Sequence, residues 1–224
     1  MNFTQKYRPT RLRDVVGQPV AVRTLTAMLE AGRLPPILLI GPKGIGKTTI
    51  AGIIKASLGC HDADFHRHDA AGYSGVATAR EIRARIGLAP IGGPCRLYFL
   101  DEIHTASRAF QSVLLSVLND PPAHVRFILA TTAPKQLLST LRDRCAVIRL
   151  NSIGADDLGI LLERVVAGEN IVLHDRVRRR LIRIARGSAR RLLIKLEMIA
   201  PLASPREQQA ALGIRRPATN GGKR

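Results

Sequence analysis

The sequence predicts an α/β fold in which a parallel sheet lies between helices, followed by a small all-α domain. Three observations predict it. Short apolar runs alternate with segments of helical period over the first two thirds of the chain. A glycine-rich turn, "GPKGIGKT" (41–48), directly follows the first of those runs. Beyond residue 151, helical segments succeed one another with no strand between them. Alternation of this kind indicates parallel strands covered on both faces, and its loss marks a second domain.

The elements follow in order. "VAVRTLTAMLEAG" (20–32) has helical spacing and stops at a glycine, and "PILLI" (36–40) is a short all-apolar run suited to a buried parallel strand. A helical run covers 48–58, and "FHRH" (65–68) reads as a further strand. "ATAREIRARIG" (77–87) and "FQSVLLSVL" (110–118) read as helices. "RLYFL" (96–100), "VRFILAT" (125–131) and "AVIRL" (146–150) read as strands. The expected domains are 1–151 for the sheet-containing core and 152–200 for three helices, "DDLGILLERVVA", "DRVRRRLIRIA" and "ARRLLIKLEMIA". Ser188 stands where it would cap the last of them. Residues 201–224 lose periodicity and turn polar and basic, which predicts a weakly ordered tail.

Composition bounds the function. The chain has 224 residues, 46% of them hydrophobic, with 4% aromatic and no Trp, so an aliphatic core is expected. Lys and Arg number 35 against 17 Asp and Glu, a net charge of +18 that points to a polyanionic partner, nucleic acid above all. Cys60, Cys95 and Cys145 are sparse and odd in number, which argues against a disulfide framework and for a reducing compartment. "MNFTQKYRPT" lacks the apolar run of a signal peptide, and no segment approaches a membrane span. A cytoplasmic protein without a membrane partner is expected.

"GPKGIGKT" matches G-x-x-x-x-G-K-[ST] between a strand and a helix, the setting of a phosphate-binding loop. Gly41, Gly44 and Gly46 permit a tight loop whose N–H groups face phosphate. The helix start adds its positive end. Lys47 is expected to reach the β- and γ-phosphates, and Thr48 to hold Mg²⁺. "RLYFLDEIH" (96–104) ends a strand in two carboxylates. Asp101 is placed to support Mg²⁺ and Glu102 to polarise an attacking water, which implies hydrolysis. "ILATT" (128–132) ends another strand in two hydroxyls within reach of the γ-phosphate or the water.

Together these motifs carry a specific resemblance. The chain resembles an AAA+ ATPase of the clamp-loader clade, similar to the motor subunit of bacterial and phage sliding-clamp loaders. "KYRPTRLRDVVGQ" (6–18), "DAAGYSGV", "DEIHTASRAFQSVLLSVLNDPPAHVRFILATT" and "RGSARRLL" resemble its successive signatures, from about residue 5 to residue 199. The resemblance implies ATP and Mg²⁺ as ligands. It implies adenine-side contacts from Tyr7, Arg8, Pro9 and Val16, and loop contacts from Gly41, Pro42, Gly44, Ile45, Gly46, Lys47, Thr48 and Thr49. It puts Thr132 at the sensor-1 position and Arg190 at the sensor-2 position. Gln111 falls where the family couples its DNA face to the ATP site. Arg144, in "STLRDRCAVIRL" (139–150), falls on the Arg of the family's Ser-Arg-Cys motif and resembles a finger entering a neighbour's ATP site. Read without the resemblance, Arg144 is equally a partner for Asp143 or a solvated charge.

The chain departs from the family at several points. "DRC" replaces Ser-Arg-Cys, and Ser116 replaces a basic residue of the DNA-facing helix. The four-cysteine zinc module is missing. "CHDADFHRH" (60–68) stands in its place, with His66 and His68 expected on a core strand, so no zinc is expected. About two dozen residues follow the helical domain, too few for the family's collar. A homo- or hetero-oligomer assembled weakly, and aided by ATP, is therefore expected. For DNA, "YSGVATAR" (73–80) resembles a helix start that meets the backbone, through Ser74, Gly75 and Arg80. The helical domain is rich in arginine between residues 176 and 191, which suits a nucleic acid or an acidic protein surface as well as solvent.

Three functions compete at this point. The first is an ATP-hydrolysing motor subunit placing a sliding clamp on primer–template DNA. The second is another DNA-dependent AAA+ machine, a branch-migration motor or helicase loader. The third is an ATP-dependent DNA-binding assembly module that barely hydrolyses.

Overall fold

The computed structural model describes residues 2–69, 76–202 and 204–213. The chain divides into two compact units, one of Pro9–Asn151 and one of Met1–Arg8 with Ser152–Arg224. The first eight residues, expected in the core, cluster instead with the helices.

The sheet unit contains five strands: β1 Ile37–Ile40, β2 Phe65–Asp69, β3 Arg96–Asp101, β4 Val125–Thr131 and β5 Ala146–Arg149. All pairings are parallel, in the order β2-β3-β4-β1-β5. Helix α1, Phe3–Lys6, belongs to the other unit. Here α2 spans Pro19–Glu30, α3 Lys47–Ser57, α4 Val76–Arg85, α5 Arg108–Leu118 and α6 Ser139–Asp143. Pro19 starts α2 at a position where its missing N–H costs nothing.

Alternate strand residues feed two cores. Ile37, Leu39, Leu97, Phe99, Ile128, Ala130 and Ile148 form one with residues of α2 and α3. Leu38, Ile40, Tyr98, Leu100, Phe127 and Leu129 form the other with α4, α5 and α6. Burial on both faces explains why β1 reads as an unbroken apolar run. The core is less purely aliphatic than composition suggests, since Phe99, Phe110 and Phe127 lie at its centre, each at most 1% exposed.

The helical unit adds α7 Ala155–Glu169, α8 Asp175–Ala185, α9 Ala189–Ile199 and α10 Pro205–Ala211. Leu158, Leu162, Val165, Val177, Leu181, Leu192 and Leu196 are buried in it. Ser188 caps α9, its hydroxyl accepting from the Arg191 N–H. The expected loss of order after residue 200 is corrected over Pro205–Ala211. There Ser204 and Glu207 form a capping box, and Gln208, 2% exposed, donates to the carbonyls of Val172 and Leu202. Among the described residues no helix is long and apolar enough to cross a membrane.

Candidate nucleotide site

The catalytic candidates converge at the carboxyl edge of the sheet, where open α/β sheets bind ligands. β1 runs into the loop 41–46, and α3 begins at Lys47. Gly41 is required by close packing. A Cβ there would meet Ile45 Cδ1 and the Leu150 carbonyl oxygen, each at 2.4 Å. Gly46, at φ 114°, is the N-cap of α3 in a conformation that side-chain-bearing residues rarely adopt. Lys47 is 6% exposed and donates to the carbonyls of Gly41 and Pro42 at 2.7 and 3.0 Å, so its ammonium lies folded into the loop. Ile45 is buried, Gly44, Thr48 and Thr49 are half-buried, and Pro42 is exposed.

β3 delivers the two carboxylates. Thr48 Oγ1 donates to Asp101 Oδ2 at 3.2 Å, so the hydroxyl and carboxylate expected around Mg²⁺ already touch. Two adjacent hard oxygens are the donor set that Mg²⁺ takes, and the site fits it. Glu102 follows in the left-handed region at φ 49°. That turn carries its carboxylate toward the end of β4, where Oε2 accepts from the Thr132 hydroxyl at 3.0 Å and from the Thr132 N–H at 3.2 Å.

Sequence reasoning missed two side chains of this cluster. His104 Nδ1 lies 3.3 Å from Glu102 Oε2 and 3.1 Å from Thr131 Oγ1. Arg67, on β2, places Nη2 3.5 Å from Asp101 Oδ2. The signal for His104 was its position two residues after Glu102. Arg67 carried none, because only the β2–β3 register, with Arg67 beside Phe99 and Asp69 beside Asp101, brings it there.

Gln111 is 1% exposed and fully used: Nε2 donates to the Ala106 carbonyl at 3.1 Å and Oε1 accepts from the Leu138 N–H at 3.0 Å. It ties the segment after Glu102 to the N-cap of α6. Gln18, which the sequence reading passed over, is 3% exposed and clasps the Asn151 backbone, donating to its carbonyl at 2.7 Å and accepting from its N–H at 3.0 Å.

Arg144 lies elsewhere. It is exposed at the C-cap of α6, just before β5. Ala146 is in register with Ile37, the first residue of β1, so Arg144 sits at the amino edge of the sheet. Six residues of strand at ~3.3 Å each separate its level from that of Gly41, about 20 Å and beyond the reach of its side chain. Arg144 lines a cavity of about 440 Å³ with Leu34, Pro36, Asn119, Arg126 and Asp143 among others. Arg144 and Asp143 are both exposed, and among the described residues no ion pair joins Arg144 to Asp143 or to any other acid.

The remaining candidates are scattered. Ser74 and Gly75 lie outside the described residues, and Arg80 is exposed on α4. His66 and His68 sit on β2, an edge strand, with rings stacked on Tyr98 at centroid distances of 5.0 and 6.5 Å. Burial pushes both imidazoles below their ordinary pKa. Pro9 and Val16 are half-buried in the sheet unit. In the helical unit, Arg8 and Arg190 are exposed, and the Tyr7 hydroxyl donates to Glu169 Oε1 at 2.8 Å. The hydrogen bond from Lys6, then that from Tyr7, holds the Glu169 carboxyl below the usual range.

Comparison with known proteins matches this architecture. Over 223 residues the chain is 32% identical to the DNA polymerase III subunit gamma/tau of Mycobacterium tuberculosis, covering 89% of this chain and 39% of that protein. It is 32% identical over 210 residues to subunit tau of Escherichia coli, covering 84% and 33%, and 32% identical over 222 residues to subunit gamma of a Buchnera aphidicola strain, covering 88% and 62%. The chain thus spans well under half of the first two relatives. A variant of Thermotoga maritima RuvB superposes with a TM-score of 0.75 at 23% identity, covering 93% of this chain and 72% of that one. RuvB described as a Holliday junction branch migration motor gives 0.73 at 22%, with the same coverages. At those identities the likeness concerns the fold. Residues 37–152 match the family described as ATPase family associated with various cellular activities (AAA), and the chain belongs to that family.

Proposed function

We propose that the chain is the ATP-hydrolysing motor subunit of a clamp-loader-type complex that places a sliding clamp on primed DNA. One observation carries the hydrolytic part: the Lys47–Thr48–Asp101 and Glu102–Thr132 groups meet at one sheet edge beside the phosphate loop. Bound Mg²⁺ would draw charge from the β- and γ-phosphate oxygens. Thr48 and Asp101 would hold that ion, and Lys47 would leave its carbonyl partners to neutralise the phosphates. Glu102 accepts a proton from water as the water's oxygen bonds to the γ-phosphorus and the bond to the bridging oxygen breaks. Thr132 orients the carboxylate, or the water, from the strand end. The roles of Tyr7, Arg8, Pro9, Val16 and Arg190 rest on the resemblance of their motifs.

Arg144 supports an oligomer. Its position at the far edge of the sheet suits a charge offered to the ATP site of a neighbouring subunit, where such an arginine adds orders of magnitude to hydrolysis. DNA, a sliding clamp and sister subunits are the proposed partners, on the strength of the gamma/tau relatives. The fold likeness to RuvB also fits a branch-migration motor. The relatives at 32% identity favour the clamp loader. Steady-state ATPase rates, measured alone, with primed DNA and with primed DNA plus a sliding clamp, test the reading. Stimulation by primed DNA that increases with the clamp is expected. A rate unmoved by either removes it.

A further inference from the structure

We propose that the solvent face of α8 is a second polyanion-binding surface, which takes the phosphate backbone of duplex nucleic acid. The helix carries an arginine at 176, 178, 179, 180, 183 and 186, and they are not equivalent. Val177, Leu181 and Ala185 are fully buried and define the inner face. Of the flanking arginines, Arg178 pairs with Glu163 and also approaches Asp175 at 3.9 Å, and Arg180 Nε donates to the Leu212 carbonyl at 3.4 Å. Those two charges are used within the unit. Arg179 and Arg183, four residues apart and so on one face, point away from the core and are exposed. Arg186, exposed at φ 47°, follows them at the C-cap, and no described residue bonds the side chain of any of the three.

Like charges at this spacing destabilise a helix. Asp175, exposed four residues before Arg179, is the one acid on that face of α8 and offsets only part of the repulsion. The negative end of α8 favours cations in its last turn but accounts for only part of the row. Arg190 and Arg191, exposed in the first turn of α9, extend the same charge against the positive end of that helix. A row about 10 Å long at 1.5 Å per residue, of one sign, suits successive phosphates of a backbone.

Its composition selects the partner. Neither α8 nor α9 carries a Phe, Tyr or Trp, so within the row single-stranded bases would find no aromatic stacking platform. Among Arg179, Arg183 and Arg186 on α8 no large apolar side chain is exposed, and Ile194, 50% exposed beside Arg190 and Arg191, stands singly, whereas a protein interface depends on clustered apolar or aromatic anchors at its centre. A duplex backbone needs only the guanidinium groups.

The inference rests on the DNA-directed reading for its class of partner but names a surface which that reading does not require. The test is fluorescence anisotropy with a short blunt duplex of mixed sequence across a salt series. Wild type is compared with Arg179→Ala/Arg183→Ala/Arg186→Ala and with a charge-matched variant, Arg33→Ala/Arg149→Ala/Arg164→Ala. The first triple variant should bind at least tenfold more weakly at low salt. Its slope of log affinity against log salt should shrink by about 2 to 3, since each lost phosphate contact contributes ~0.9. The charge-matched variant should change the slope by less than one. Circular dichroism checks the fold, and Arg183→Gln alone, with a slope change near one, carries the test if the triple variant misfolds. Equal losses in both triple variants, or no loss in the first, overturn the proposal while leaving DNA-dependent function standing. Tighter binding of polyglutamate than of duplex at the same salt overturns it in favour of an acidic protein. A wild type that binds no DNA removes both this surface and the broader reading.

Discussion

Glu102 and Thr132 are joined twice, through the threonine hydroxyl at 3.0 Å and its N–H at 3.2 Å, and this pairing orients the carboxylate that the proposed mechanism uses. A proton-accepting carboxylate is useful only if it is aimed. Glu102→Gln should leave ATP affinity within about threefold and lower single-turnover hydrolysis by roughly 10²–10⁴, the range of a lost general base. Thr132→Val keeps the carboxylate but removes the hydroxyl, and its rate should fall less, by roughly tenfold, at unchanged affinity. Wild-type turnover by Glu102→Gln would show that another group activates the water.

Lys47→Ala should abolish nucleotide binding, which equilibrium titration with a fluorescent ATP analogue measures. The ammonium is the charge expected on the β- and γ-phosphates. It also satisfies the Gly41 and Pro42 carbonyls, so part of the loss should appear as a looser loop. Retained affinity would place the phosphates elsewhere.

Gln111→Leu tests the buried bridge between the segment after Glu102 and α6. It leaves the Ala106 carbonyl and the Leu138 N–H without their partner. Each buried unsatisfied group costs about 1–3 kcal/mol, so a loss of roughly 2–6 kcal/mol is expected in denaturant titration. DNA stimulation of the ATPase should fall further than basal rate does. A variant as stable as wild type, with normal stimulation, would contradict both roles.

The thiols give a pH test. Burial pushes Cys60 up to about 11 and Cys145 up to about 12. Each is therefore a neutral thiol at pH 8, and alkylation by iodoacetamide should be slow until the fold opens. Because the folded pKa is raised, the stability contributed by the neutral thiols is complete below about pH 9. It is lost as pH rises toward 11 and 12. Denaturation midpoints should fall over that window in wild type, and fall less in Cys60→Ala/Cys145→Ala. Rapid labelling at pH 8 would contradict the raised pKa values and the placement of Cys60 as buried and Cys145 as half-buried.

Much of the sheet and of the phosphate loop was legible because their signals are local. Apolar runs bounded by turns read as β1, β3 and β4, and the glycine–lysine spacing of the loop is dictated by phosphate geometry. The pairing of Thr48 with Asp101 was also legible, since both belong to motifs of fixed position. What escaped the sequence depends on register and tertiary contact. Arg67 reaches Asp101 only because β2 lies beside β3, and His104 joins Glu102 only through the left-handed turn at residue 102. Helix α10 was hidden by its weak apolar pattern, and its Ser204–Glu207 capping box was the missed signal. The first eight residues carry a motif that reads with the core, yet Tyr7 spends its hydroxyl on Glu169 of the helical unit.

The central claim is that hydrolysis needs Glu102 from one subunit and Arg144 from the next, and mixing two inactive variants tests it most directly. Arg144→Ala has a sound site and no finger, and Glu102→Gln has a sound finger and a dead site. Each alone, with primed DNA and partners present, should hydrolyse ATP at least about 10² more slowly than wild type. Arg144→Ala should bind ATP normally, since the level of residue 144 is about 20 Å from that of its own phosphate loop, beyond the reach of the side chain. On mixing, interfaces that pair an intact site with an intact finger should restore a substantial fraction of the wild-type rate. Normal hydrolysis by Arg144→Ala alone, or a mixture no more active than its components, would contradict the claim.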